Sequence, residues 1–548
     1  MRTLLMTTGL TLLVASACTS EPAELKDPPI LKVTSPKRSL IQNQAGAITV
    51  QGTVAPSAES GEPIKKVMVN NVQATVNADG SFQAVIDIKP GATLIHTSAI
   101  DVSGAVAEDT RAVEAGELRA VGANVENAIT AAMSTTAFAK LASAAGPMIK
   151  GLDMKSMLAP MQPMVHMGDE TGEDCLFARV YVDDVKMTDV KINLTPVQGG
   201  LQFRAEIDGL DVPTHARYAA ACITGNNTIR VTADKVVVAG TLVVTPDGMQ
   251  GFKTTLTDET VTLTNMHIAA SGIPGTILDL IHMDTAIQYI VAKGVELAME
   301  PMMNKALGGL AGPQTLDVMG KQLTVEVDPT LIAFDPTGAY VELDTKMLIA
   351  GSESSPGFIY TSNGVPAMDP GNGMVLGLAD DLANEVMAEA SAIGLLNLSM
   401  PAAGGTFDNS AIQMTLPPMI SADPADGKMK VILGDMIATY TSGGQPVAKA
   451  AINASVELKI EPASNGYGVA LQLGTPTIHA TVLDDIANVS RFSDADLAHA
   501  TEASLGAQIA AISKLLTGIP LPAVAGVQMR NLSVGSDDGY VMMKGDVQ

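Results

Sequence analysis

The chain has 548 residues, 47% apolar and 17% charged, so it can bury large cores and has room for about three or four domains. Its 58 acidic residues against 33 basic ones give a net charge of −25, a field that repels nucleic-acid phosphates and anionic lipid surfaces. Trp is absent and aromatics reach 3%, which leaves few stacking platforms for bases or sugars, whereas 30 Met residues supply flexible thioethers or stand in for Leu in cores.

Residues 1–17 carry Arg2 near the start and an apolar core from Leu4 to Leu13, the pattern of a secretory signal peptide, too short and wrongly flanked to span a membrane. The segment closes on Leu13-Val14-Ala15-Ser16-Ala17-Cys18. Small residues before a cysteine resemble the lipobox of bacterial lipoproteins, in which the peptide is cut just before the cysteine. The resemblance implies that Cys18 becomes a lipidated, palmitate-bearing first residue. Ordinary cleavage that leaves Cys18 a spare thiol is the alternative. Thr19 and Ser20 follow with no acidic residue, which favours the bacterial outer membrane, its face left open. Residues 18–29 are a polar, Pro-rich tether. No later stretch reaches eighteen uninterrupted apolar residues, so Cys18 is the one expected membrane attachment. In an oxidising compartment Cys175 and Cys222 can pair, a link worth on the order of 4 kcal/mol in the chain-entropy model. Two buried free thiols are the alternative, and neither zinc nor redox chemistry can be built from cysteines spaced like this.

Residues 30–115 read as short alternating strands. Ile48–Val54 and Lys66–Asn70 alternate, and Val72–Val76 runs through the turn signal Asn77-Ala78-Asp79-Gly80 into Ser81–Ile86. Some seven strands in about 85 residues fit a β-sandwich. Val67-Met68-Val69-Asn70, Ala78-Asp79-Gly80-Ser81-Phe82 and Ala99-Ile100-Asp101-Val102-Ser103-Gly104 resemble a bacterial Ig-like domain, a module used mostly as a spacer or adhesive unit.

Beyond Ala115 the texture changes. Asn124 can cap a helix carrying Val125, Ile129, Met133 and Leu141. A Met-rich segment follows, with Met148, Met154, Met157, Met161, Met164 and Met167. Alternating strands run from Cys175 to about Ile268, and then a helix over 276–307 carries Ile277, Leu280, Ile281, Ile287, Ile290, Val291, Val295 and Ala298. The second half repeats the plan. A helix near 377–396 has Leu378, Leu382, Val386, Ala390 and Ile393 on one face, and further strands run from Met429 to Val482. Ser493-Asp494 opens a last helix with Leu497, Leu505, Ile509, Ile512 and Leu516, and strands at Val527–Val534 and Tyr540–Met543 end the order. Helix, long antiparallel sheet and helix thus occur twice.

The run Gly518-Ile519-Pro520-Leu521-Pro522, the strand Val527–Val534 and Gly539-Tyr540-Val541-Met542-Met543 resemble the close of the bactericidal/permeability-increasing protein and lipopolysaccharide-binding protein family. Leu378–Asn384 with Gly394–Leu398, and Leu416-Pro417-Pro418, resemble further elements of it, and a cysteine pair recurs in the first half of that family. The likeness spans roughly residues 120–548 in order of elements and about 70 residues in wording. It implies a tubular lipid-binding architecture: an α+β fold with lobes at 116–312 and 313–548, each a highly curved antiparallel sheet around long helices that leaves an apolar groove. The groove candidates are Ile277, Leu280, Ile281, Ile287, Val291, Leu378, Leu382, Val386, Leu505, Ile509 and Ile512. Acyl chains would enter such a groove at ~0.8 kcal/mol per buried CH₂. An apolar stripe at helical spacing is more often plain core. Relatives that bind endotoxin present basic tips, and this chain is acidic, so a neutral lipid or apolar metabolite is the easier ligand.

Nothing in the sequence carries catalysis. His-Glu-x-x-His, Gly-x-Ser-x-Gly, phosphate-binding and dinucleotide motifs are absent, and the seven histidines make no close ligand pair along the chain. Asp183-Asp184, Asp380-Asp381, Asp484-Asp485 and Asp537-Asp538 read as loop or helix-start carboxylates. The expectation is a non-enzymatic lipoprotein without metal or cofactor that holds or locally transfers lipid. The alternative is a cell-surface adhesion or scaffold lipoprotein whose lobes are filled.

Overall fold

The computed structural model describes residues 27–171, 176–220, 222–248, 251–308, 312–318, 320–361, 364–401, 407–421, 429–462, 468–484, 501, 505, 519–520, 529–537 and 539–547. Cys18, Cys175, Ile509 and Ile512 lie outside the described residues. Strands make up 61% of the structure and helices 14%, so the balance is mostly β. The chain divides into two compact units. One is the chain up to Pro36 with Ala47–Ile86 and Ile95–Asp109; the other is Lys37–Gly46, Asp87–Leu94 and everything from Thr110.

The first unit is sandwich-like. Ile30–Ser35, Gly46–Ala55, Ser81–Ile88 and Thr75–Val76 are neighbours in one sheet. Ile64–Val69 pairs with Thr97–Asp101 and with Val72–Gln73. Burial alternates residue by residue along Gly46–Ala55 and Ser81–Ile88, the period of a sheet with one face inside. Phe82 lies so close to Gly52 that a Cβ there would meet its ring at 2.6 Å, which is why that strand carries glycine. The turn expected at Asn77–Gly80 is formed: Gly80 has φ +81°, Gly80 N donates to Asn77 O, and Asp79 Oδ1 accepts from Ser81 N.

The second unit begins with a departure from the sequence reading. Val125–Ser134 is a strand, and helix α1 (Thr135–Lys150) starts ten residues later than expected, capped by Ser134, whose side chain accepts from Ala137 N. The strand lies inside a seven-stranded antiparallel sheet, between Gly338–Ile349 and Met374–Ala379. With neighbours on both sides and both faces covered, its residues lack the alternation that would have marked it. Tyr540–Val547 and Met529–Asp537 complete one side of that sheet, and Lys321–Asp335 and Gly312–Val318 the other.

A second sheet is built on the hairpin Gly200–Ala220/Ile223–Pro246, paired over its whole length. Each long strand changes its outer partner along its course. Gly200–Ala220 takes Asp189–Val197 on its first half and Phe177–Val182 on its second. Ile223–Pro246 takes His267–Ala270 and then Phe252–Thr264. Exchanging partners lets a twisted sheet curl. Helix α1 closes on it, and Gly146 comes so near Val190 O that a Cβ would sit 2.1 Å away.

The helix expected over 276–307 is two helices, α3 (Gly275–Ile281) and α4 (Met283–Gly308). His282 interrupts it in the left-handed conformation at φ 48°, which no helix can pass through. The helix expected near 377–396 is shorter: Met374–Ala379 is a strand, and α5 spans Asp380–Ala392. The remaining sheet runs through Leu398–Pro401, Asn409–Gln413, Lys430–Ser442, Gln445–Pro462, Gly468–Leu473 and Ile519–Pro520. Leu505 is buried in its core with Met436, Tyr440 and Ile452. Arg38 ties its own segment to this sheet through the buried Asp435 carboxylate at 2.9 Å, and Ser39 N and Ala112 N donate to the same group.

Candidate apolar slit and neighbouring polar features

The inward face of Gly200–Ala220 changes phase at Gly209. Phe203, Ala205 and Ile207 point inside, and after Gly209 (φ +62°) so do Leu210, Val212 and Thr214. The register with Ile223–Pro246 is unbroken here, Asp208 facing Lys235 and Leu210 facing Ala233, and the facing strand changes phase at the same point, from Ala233 to Val236. At that change of phase Ile207, Leu210 and Val212 form the floor of a slit. Val185 and Met187 close one side, and Ile149 of α1 with Met154 and Leu158 of helix α2 (Met154–Leu158) close another. Helix α4 supplies the roof with Ile290, Val291, Gly294 and Val295, positions that share one face at helical spacing. No charged or hydrogen-bonding side chain lines this space. Its free volume is about 40 Å³, room for no more than a few small groups.

The residues named from the sequence fall in several places. Val291 lines the slit. Ile277, Ile281 and Ile287 are buried in the same core as filling. The backbone of Leu280 is in α3, and its side chain lies outside the described residues. Leu378 sits on a strand, not on a helix, and is half-buried against the large core. Leu382 and Val386 of α5 pack against Leu323, Met347, Ile349 and Ala390. Leu505 is helical and packs into the core of the other sheet. The described candidates therefore lie in three cores. Met154, Leu158, Ile207, Leu210 and Val212 were not named as candidates, although the Met-rich run and the strand alternation were both readable.

The outward face of the same curled sheet carries a polar trough of about 440 Å³. Two adjacent rungs form it, Thr195–Gln202–Thr241–Thr257 and Asn193–Arg204–Ala239–Thr260, with Ala239 and Gly240 as its floor. Arg204 is engaged by Glu206 at 3.0 Å, and Lys235 meets the same carboxylate at 3.0 Å. The trough is a solvated sheet face, lined also by Asp258.

Helix α5 concentrates buried carboxylates. Asp380 and Asp381 open it, where the helix N-terminus favours negative charge. Asp381 accepts from Thr361 N and Oγ1, Glu385 from Gly122 N at 3.0 Å, and Glu389 from Ser352 Oγ and Ile349 N. Burial, then the neighbouring Glu389, pushes the Glu385 carboxyl up to about 9. Burial also raises Glu389. These groups hold backbone donors of other segments and so act as joints of the fold. Cys222 is not a free thiol. It turns the Gly200–Ala220/Ile223–Pro246 hairpin at φ 63°.

A known domain family, glucodextranase domain B, matches residues 29–116. That match concerns the N-terminal module alone. No curated protein matches the chain. Among solved structures, the crystal structure of lipopolysaccharide binding protein is similar at 12% identity and a TM-score of 0.37, over 77% of this chain and 99% of that one.

Proposed function

We propose that the protein is a non-enzymatic lipoprotein of the bacterial cell envelope, anchored in the outer membrane through lipidated Cys18, that holds an acyl chain or another apolar ligand for storage or local transfer. In this reading residues 18–29 are a tether, 30–115 an Ig-like spacer, and 116–312 and 313–548 two lobes of curved sheet around helices, with Cys175 joined to Cys222. The observation that carries it is the slit roofed by α4, whose lining is wholly apolar and which lies where the inward face of Gly200–Ala220 changes phase at Gly209. A net charge of −25 favours a neutral ligand over an anionic one. Native mass spectrometry of the protein lacking residues 1–18 tests it: a lipid should co-purify or be taken up from a lipid extract, and its failure to do either ends the carrier reading.

One observation favours a second reading. A free volume of about 40 Å³ is that of a filled lobe, as an adhesion or scaffold lipoprotein would have. The same measurement separates the two, since a scaffold takes up nothing.

A further inference from the structure

We propose that Met154 is the gate of the slit, that the strap carrying α2 is its lid, and that the occupant is a single unbranched acyl chain whose polar end stays outside. This inference rests on the lipid-holding reading above. Gly294 lies in the interior of a 26-residue helix, a position where glycine weakens the helix relative to alanine. Its lack of a side chain has a specific use. A Cβ at 294 would meet one atom within 4 Å, the terminal Cε of Met154, at 3.0 Å. The thioether of Met154 therefore lies in the notch that Gly294 leaves between Ile290, Val291 and Val295, and stops the slit there. Methionine suits a stopper, because it is unbranched and moves by rotating flexible bonds instead of breaking hydrogen bonds.

The strap that bears it is lightly held. α1 ends at Gly151, whose N–H bonds back to Pro147 O and Met148 O. The chain is next fixed at Gln162, which exchanges two hydrogen bonds with Val182. Between these points, among the described residues, the hydrogen bonds of α2 are local. Asp153 caps Ser156 N and Oγ, Met157 N bonds to Asp153 O, and Met154 N to Leu152 O. Apolar contact alone holds α2 against α4 and the floor. Segments with few long-range hydrogen bonds open at the lowest cost.

The walls also restrict the ligand. With no polar lining, a buried headgroup would lose its hydration without compensation. The nearest α4 charges, Lys293 and Glu296, are bonded to each other at 2.6 Å. The free volume of about 40 Å³ leaves little room for side branches, so an unbranched chain would enter with the least displacement of the lining.

Stopped-flow uptake of cis-parinaric acid, with palmitic and branched phytanic acid as competitors, tests the gate. Removing the stopper in Met154→Ala raises the fraction of binding-competent molecules, so apparent affinity or uptake rate should rise about tenfold. Gly294→Val fills the notch and should abolish uptake, with a retained thermal transition showing that the fold survives. Palmitic acid should displace the probe and phytanic acid should not. Unchanged uptake in both variants, with the wild type binding, overturns the gate and leaves the carrier reading standing. Competition by phytanic acid equal to that of palmitic acid overturns the single-chain claim. Absence of binding in every form, the wild type included, removes both.

Discussion

At the scale of single residues, Glu385 has the most measurable consequence. It is fully buried; one oxygen accepts from Gly122 N, and the other has no partner among the described residues. Its folded pKa of about 9 lies above the ordinary 4.5, so the native state binds the proton more tightly. A group shifted this way contributes its full stability below pH 4.5 and loses it as pH rises through 9. Glu385→Gln keeps an acceptor for Gly122 and removes the titration. The variant should match the wild type near pH 4.5 and exceed it at pH 9 by on the order of a few kcal/mol. Urea unfolding at both pH values reads the difference, and equal pH slopes would refute it. The sequence marked Asp380-Asp381 as helix-start carboxylates, which they are. It could not mark Glu385, because its burial comes from segments as distant as Gly122 and Ile420, the latter bonded to the adjacent Asn384.

At the scale of elements, the contact between α1 and Asp189–Val197 turns on Gly146. Alanine is the better helix former by about 1 kcal/mol, which alone predicts stabilisation by Gly146→Ala. The 2.1 Å approach of a new Cβ to Val190 O opposes it, and a backbone atom cannot swing aside as a side chain can. The clash should win, with a net loss on the order of 2 kcal/mol in denaturant unfolding. A gain would mean that helix and sheet separate freely. Elements were legible where one face meets water. Gly46–Ala55, Ser81–Ile88 and the first half of Gly200–Ala220 all announce themselves by alternation. They were illegible where both faces are covered, as in Val125–Ser134, whose apolar run reads equally well as helix. The break at His282 had only a weak local signal: histidine takes positive φ more often than most non-glycine residues, but far too seldom to mark a helix break by itself.

At the scale of the whole molecule, segments far apart in the chain complete one sheet in the second unit. Val125–Ser134 reaches Tyr540–Val547 through the single intervening strand Met374–Ala379. Linear order does not show that late strands finish a sheet begun by early ones; the pairing does. Tyr540 is the rivet. It is 2% exposed, and its hydroxyl lies 3.0 Å from Asn127 O and 2.9 Å from Gly364 O. Nearby, Lys140 Nζ donates to Val547 O at 2.6 Å, and Asp380 N to Gly539 O at 2.8 Å. Tyr540→Phe keeps the ring and removes the hydroxyl, so the two carbonyls lose the one donor they share, at a cost on the order of 1–3 kcal/mol. Deletion of residues 529–548 should do far more. It strips Met374–Ala379 of one neighbour, leaves a buried edge unpaired, and removes the large ring of Tyr540 from the core. The truncated protein should lose its cooperative thermal transition and be cleaved by protease within the second unit, whereas Tyr540→Phe should keep a single transition at lower temperature. A truncated form that melts cooperatively within a few degrees of the full chain would show that the early strands fold without the late ones.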